Sequence, residues 1–133
     1  MKVLVIKTDN TVHAVKVNTQ WNNEISFADI RKHISSRPNI LYVPSISRLA
    51  YVYVLFVEKD RKDRPVNIIA TILSDSMGRP VRGNAILARS EHMGDGATKT
   101  FALDDDEITK IVGYMSKNID KKIVLAQGAD NKR

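Results

Sequence analysis

The sequence predicts an α+β fold: a mainly antiparallel β-sheet of five to seven strands with two helices. Three observations carry this expectation. Apolar runs with strand character recur along the chain, and the first two are joined by a short polar turn. Two segments have helical spacing behind a capping box. Strand–helix–strand alternation is not sustained, which disfavours a parallel sheet.

The elements follow in chain order. "KVLVIKT" and "TVHAVKV", joined by Thr8, Asp9 and Asn10, form a β-hairpin. "NTQWNN" is a polar loop around Trp21. Ser26 and Asp29 have the spacing of a capping box, and Phe27, Ile30 and Ile34 recur at helical intervals, so a short helix is expected there. Pro38 stops it, because the residue before a proline avoids helical backbone. "ILYV" and "LAYVYVLFVE" are strands, and the second is apolar on both faces, as an interior strand covered on both sides requires. "KDRKDRP" is a charged turn. "VNIIATIL" and "GNAILAR" are two further strands, and "TKTFAL" returns as a short one.

The second helix lies in "LDDDEITKIVGYMSKNI", where Asp104 and Glu107 form a capping box. Asp105 and Asp106 occupy the first turn, where the helix dipole favours negative charge. Ile108, Ile111, Val112, Met115 and Ile119 make its apolar stripe. "KIVLA" adds a last strand, and residues 128–133 are a tail to a single domain spanning residues 1–127.

Composition narrows the function. The chain has 133 residues and no cysteine, so disulfides, thiolate catalysis and cysteine-ligated metals are excluded. No apolar run approaches the roughly 20 residues of a membrane span, so a soluble protein without a membrane partner is expected, and the absence of cysteine suggests a cytoplasmic one. The net charge of +6 favours acidic partners mildly. His13, His33 and His92 are isolated from one another and lack metal-ligand spacing. No serine lies in a nucleophile elbow, and no nucleophile–base–orienter set is visible, so no catalytic residue and no cofactor is assigned.

"SEHMGDGATKT" is the stretch closest to a phosphate cradle. Gly94, Gly96 and Lys99 do not have the spacing of a Walker loop, nor of a dinucleotide fingerprint. A glycine-rich hairpin loop is the simpler reading. Arg79, Arg82, Asn84, His92 and Lys99 are the candidate ligand- or partner-binding residues. Arginine suits bidentate phosphate contacts, so a small anionic ligand such as a signalling nucleotide is one candidate. Nucleic acid is another, with Arg48, Arg61, Arg64 and Arg89 adding charge and Tyr42, Tyr51 and Tyr53 as stacking rings. The tyrosines lie in the most apolar strands, where a core role is the alternative.

Residues 49–89, from "LAYVYVLFVE" to "GNAILAR", carry a longer pattern: Pro65, Asn67, Ala70 and Thr71, then Gly83 and Asn84 before an apolar strand. This third of the chain resembles a family of unknown function found in phages, plasmids and their bacterial hosts. The resemblance implies a viral or mobile-element setting and no known catalysis. Together with the small size, the absence of a catalytic set and the basic surface, it makes a host protein, of defence or transcription, the leading partner. From the residues themselves, Gly83 fits a positive φ or a bulge, and Asn67 and Asn84 fit side-chain bridges between strand ends. Two short helices cannot cover a wide apolar sheet, so a twofold homodimer is expected to close the uncovered face. Curling of the sheet into a partial barrel would serve the same end.

Overall fold

A computed structural model describes residues 2–17, 19, 24–25, 30–32, 34, 38–43, 52–58, 63–74, 80–92 and 98–119, with the backbone alone at 38, 39, 42, 92, 98, 118 and 119. The expected α+β architecture is present, built on a six-stranded antiparallel sheet that does not close. Its strands are β1 (Lys2–Ile6), β2 (Val12–Lys16), β3 (Pro38–Tyr42), β4 (Val52–Glu58), β5 (Ala85–His92) and β6 (Thr98–Phe101). The order is β2-β1-β5-β4-β3, with β6 also paired to β5. The helices are α1 (Ile68–Ser74) and α2 (Asp105–Tyr114), and α2 runs on into a π-helical turn, Met115–Ile119.

The β1–β2 hairpin closes as its sequence requires. The Asn10 N–H donates to the Lys7 carbonyl at 3.1 Å, and the Lys7 N–H to the Thr11 carbonyl at 2.9 Å. Asn10 takes the left-handed conformation, φ 68°, which asparagine tolerates. Asp9 stabilises the turn by accepting from the Thr11 amide and hydroxyl. Those two hydrogen bonds hold its carboxyl below the ordinary value of 3.8.

"VNIIATIL" is not a strand: it holds α1. Its β-branched run favours extended backbone, but Asn67 overrides that preference. The Asn67 Oδ1 accepts from the Ala70 N–H at 3.0 Å, and its carbonyl accepts from the Thr71 N–H at 3.0 Å, which makes Asn67 a helix N-cap. Ile69, Ala70 and Leu73 then form a buried stripe. The first expected helix, over residues 26–34, lies mostly outside the described residues; Ile30 and Arg31 are helical there, and Ile30 and Ile34 are buried. The segment "KIVLA", the tail, Trp21 and Tyr51 also lie outside the described residues.

In α2 the capping box of Asp104 and Glu107 is formed. Its stripe is rotated from the expected one. Ile111 and Met115 are buried, Ile108 and Tyr114 pack against the same core, and Val112 faces solvent at 40% exposure. The polar Glu107 takes a buried place on this face, which an apolar count cannot register.

Both faces of the sheet are covered. Leu4, Ile6, Tyr53, Leu55, Val57, Ala85 and Leu87 meet α1 and α2 on one side. Val3, Val5, Val54, Phe56, Ile86 and Ala88 meet Ile25, Ile30 and Ile34 on the other. Among the described residues Ile25, Ile30 and Ile34 thus cover part of the second face, and the sheet stays open rather than curling into a barrel. Among the described residues no helix is long and apolar enough to cross a membrane.

Candidate functional site

At one end of the sheet β1 and β4 finish and β5 begins, as the pairings Ile6–Ala85 and Val57–Ala85 require. The chain crosses this end through Pro65–Asn67 and returns through Val81–Gly83. Two backbone bonds join the crossings: Asn67 N–H to Val81 carbonyl at 2.7 Å, and Gly83 N–H to Pro65 carbonyl at 3.0 Å. Asn67 is wholly buried between them. Its Nδ2 donates to the Ile6 carbonyl and to the Gly83 carbonyl, both at 2.9 Å. The expected bridge between strand ends is thus real at Asn67, and the same side chain also caps α1. Thr71 completes the unit, donating to the Asn67 carbonyl at 2.7 Å and accepting from the Val81 N–H at 2.8 Å.

Beside this unit is a cleft of about 200 Å3, lined by Thr8, Lys32, Glu58, Arg64, Pro65, Gly83 and Asn84. Gly83 has φ +81°, as expected, and a Cβ there would overlap the Glu58 carboxylate. Glycine therefore serves twice: it adopts the turn, and it lets a buried carboxylate lie against the backbone. The Arg64 Nε sits 3.8 Å from Glu58 Oε2, while 42% of the Arg64 side chain stays open to solvent. Arg82 donates from Nη1 to the Arg64 carbonyl at 3.0 Å, which braces the rim. Two cations, one carboxylate, an amide and a hydroxyl thus face one small space. No family model, no curated protein and no solved structure matches this chain.

Of the five residues singled out from the sequence, the three that are described, Arg82, Asn84 and Lys99, do not lie together. Asn84 lines the cleft and Arg82 braces it. Lys99 lies at the other end of the sheet, paired with Glu91 and 3.7 Å from the Glu24 carboxylate. Six residue steps along β5, roughly 20 Å, separate Ala85 from Glu91, so Arg82 and Lys99 stand too far apart to share one small anion. Arg79 and the His92 side chain lie outside the described residues. The strands flanking residues 93–97 pair as a hairpin from Arg89–Phe101 to His92–Thr98, as a hairpin loop requires.

Sequence reasoning missed Thr8, Lys32, Glu58 and Arg64 as members of a common site. Four separate segments supply them, and only the fold brings them together. The signal that pointed nearest was Gly83, whose need for a positive φ marks the place where the carboxylate approaches.

Two other polar constellations are structural. His13 Nε2 lies 2.9 Å from Thr11 Oγ1, and Thr11 contacts Asp9, but all three are exposed on the hairpin. The hydroxyl stands between acid and imidazole, whereas activation of a nucleophile needs the imidazole between them. On the helix side, Glu107 accepts from the Tyr53 hydroxyl and from Arg89 Nη1, each at 3.0 Å. Arg89 also pairs with Glu91 at 3.1 Å and lies over the Phe101 ring, 5.8 Å from its centroid. This cluster fastens α2 to β4 and β5. Tyr53 is thereby a core residue, 2% exposed, and not a stacking platform for bases. Among the described residues no three His, Cys, Asp or Glu side chains are grouped to hold a metal ion.

Proposed function

We propose that this is a small non-enzymatic protein of a phage or mobile element that binds a host protein, and that the cleft at Glu58 and Gly83 receives one acidic side chain of that partner. The observation that carries the reading is the size and lining of the cleft. At about 200 Å3 it falls below the roughly 300–1,000 Å3 of sites that enclose a small molecule. A space of this size suits one side chain. Lys32 and Arg64 line the cleft beside Glu58, and an arginine fork suits a carboxylate. The setting comes from the resemblance, whose residues Pro65, Gly83 and Asn84 line the cleft. The partner is occupied rather than chemically altered in this reading, and a protein of bacterial defence or transcription remains the partner class.

Capture from bacterial lysate at physiological salt tests this. The unaltered protein retains a partner. Arg64→Glu and Asn84→Arg, both in the cleft, weaken retention by about tenfold or more, as loss of a central contact does. Lys99→Glu, at the far end of the sheet, leaves retention unchanged. Equal retention by all four proteins, or no partner at all, would contradict the proposal.

A further inference from the structure

We infer that β2 is a self-association edge, through which two copies join their sheets antiparallel about Ala14. The hairpin fixes which backbone groups are available. Lys7 and Thr11 form a hydrogen-bonded pair. Alternation along the register then turns Val5–His13 and Val3–Val15 toward each other. The N–H and C=O groups of Val12, Ala14 and Lys16 consequently point away from β1. Among the described residues β2 pairs with β1 alone, and His13, Ala14 and Lys16 are exposed.

Exposed edges are normally blunted by proline, a bulge, inward charge or several lysines. β2 has five residues in unbroken register with β1, no proline, and one lysine at its end. At the opposite edge, β3 opens on Pro38.

The occupant is a second copy because the edge is complementary to itself. A twofold axis at Ala14 sets alanine against alanine, Val12 against the second copy's Lys16, and His13 against its Val15. No two lysines oppose across the junction, and every outward backbone group finds a partner, in about six hydrogen bonds. Val12 and Val15 each pack against one of the two cores, so the joined sheet continues both. An edge of five residues buries less than a stable interface of roughly 1,200 Å2, so the dimer is weak and dissociates on dilution.

Sedimentation velocity from about 10 µM to about 1 mM spans the range expected of so small an interface. The unaltered chain shifts from the 15.0 kDa of one chain toward twice that mass. Ala14→Pro removes the central outward N–H and stays monomeric. Proline on an edge with its N–H side to solvent leaves the β1–β2 bonds in place. Ala14→Lys keeps the backbone, sets two lysines in contact at the axis, and weakens the dimer by about fivefold or more. Circular dichroism confirms that both variants fold. A chain that stays monomeric up to about 1 mM overturns the inference and leaves the edge to a strand from another protein. A dimer that survives both substitutions overturns it too, by placing the interface elsewhere.

Discussion

Asn67→Ala is expected to lower unfolding stability by about 3–5 kcal/mol, the largest loss of any single polar substitution here. The side chain is wholly buried and serves three backbone groups: it donates to the carbonyls of Ile6 and Gly83 and accepts from the Ala70 N–H. Alanine leaves all three without that partner in a dry place, and each orphaned group costs about 1–3 kcal/mol before relaxation. Asn67→Asp separates the roles. It keeps an acceptor for Ala70 but sets a carboxylate against two carbonyl oxygens, so it should be no better than alanine. Urea denaturation followed by circular dichroism measures both. A loss below about 1 kcal/mol for Asn67→Ala would show that the cap and the bridges are dispensable.

The second large effect lies at the opposite end of the molecule. Glu107→Ala should cost about 2–3 kcal/mol, because it takes one of two carboxylate partners from a half-buried arginine and the acceptor from a buried phenol. Arg89 is 15% exposed and Tyr53 is 2% exposed, so neither regains full hydration when the carboxylate is removed. The Asp104 N–H also loses its acceptor, and with it half of the capping box. Tyr53→Phe removes the bond to Glu107 but leaves the arginine paired, and should cost about 1 kcal/mol.

The pH dependence distinguishes the two substitutions further. Burial, and then the hydrogen bond to Glu107, push the Tyr53 phenol above its ordinary 10.0. A raised value means the folded state holds the proton more tightly than the unfolded state. The contribution is therefore fully present below 10.0 and is lost as pH rises through the folded value. Stability should fall above pH 10 in the native protein and fall less steeply in Tyr53→Phe. Equal alkaline slopes would remove Tyr53 as the cause.

Much of this fold was legible where local and global preferences agree. The β1–β2 hairpin, β4, β5 and β6, and the capped α2 all follow from alternation, turn residues and caps. α1 was not legible by the same means, because a run such as Val66, Ile68, Ile69 and Ile72 has strand propensity. Only the buried cap and two cross-chain bonds at Asn67 decide for helix. The stripe of α2 was misplaced because Glu107 is buried by its partners and not by its own apolarity. At the cleft, Gly83 and Asn84 could be singled out from their turn chemistry. Glu58 and Arg64 could not, since Glu58 ends an apolar strand and Arg64 lies in a charged turn of the kind that ordinarily faces water.

The central claim is that the partner is held at the end of the sheet where β5 begins. Amide chemical-shift mapping with the captured partner tests it most directly. The account predicts perturbation at Thr8, Arg64, Gly83 and Asn84, with Ser90, Glu91 and Lys99 unmoved. Shifts concentrated at Ser90, Glu91 and Lys99, with the cleft residues silent, would contradict it.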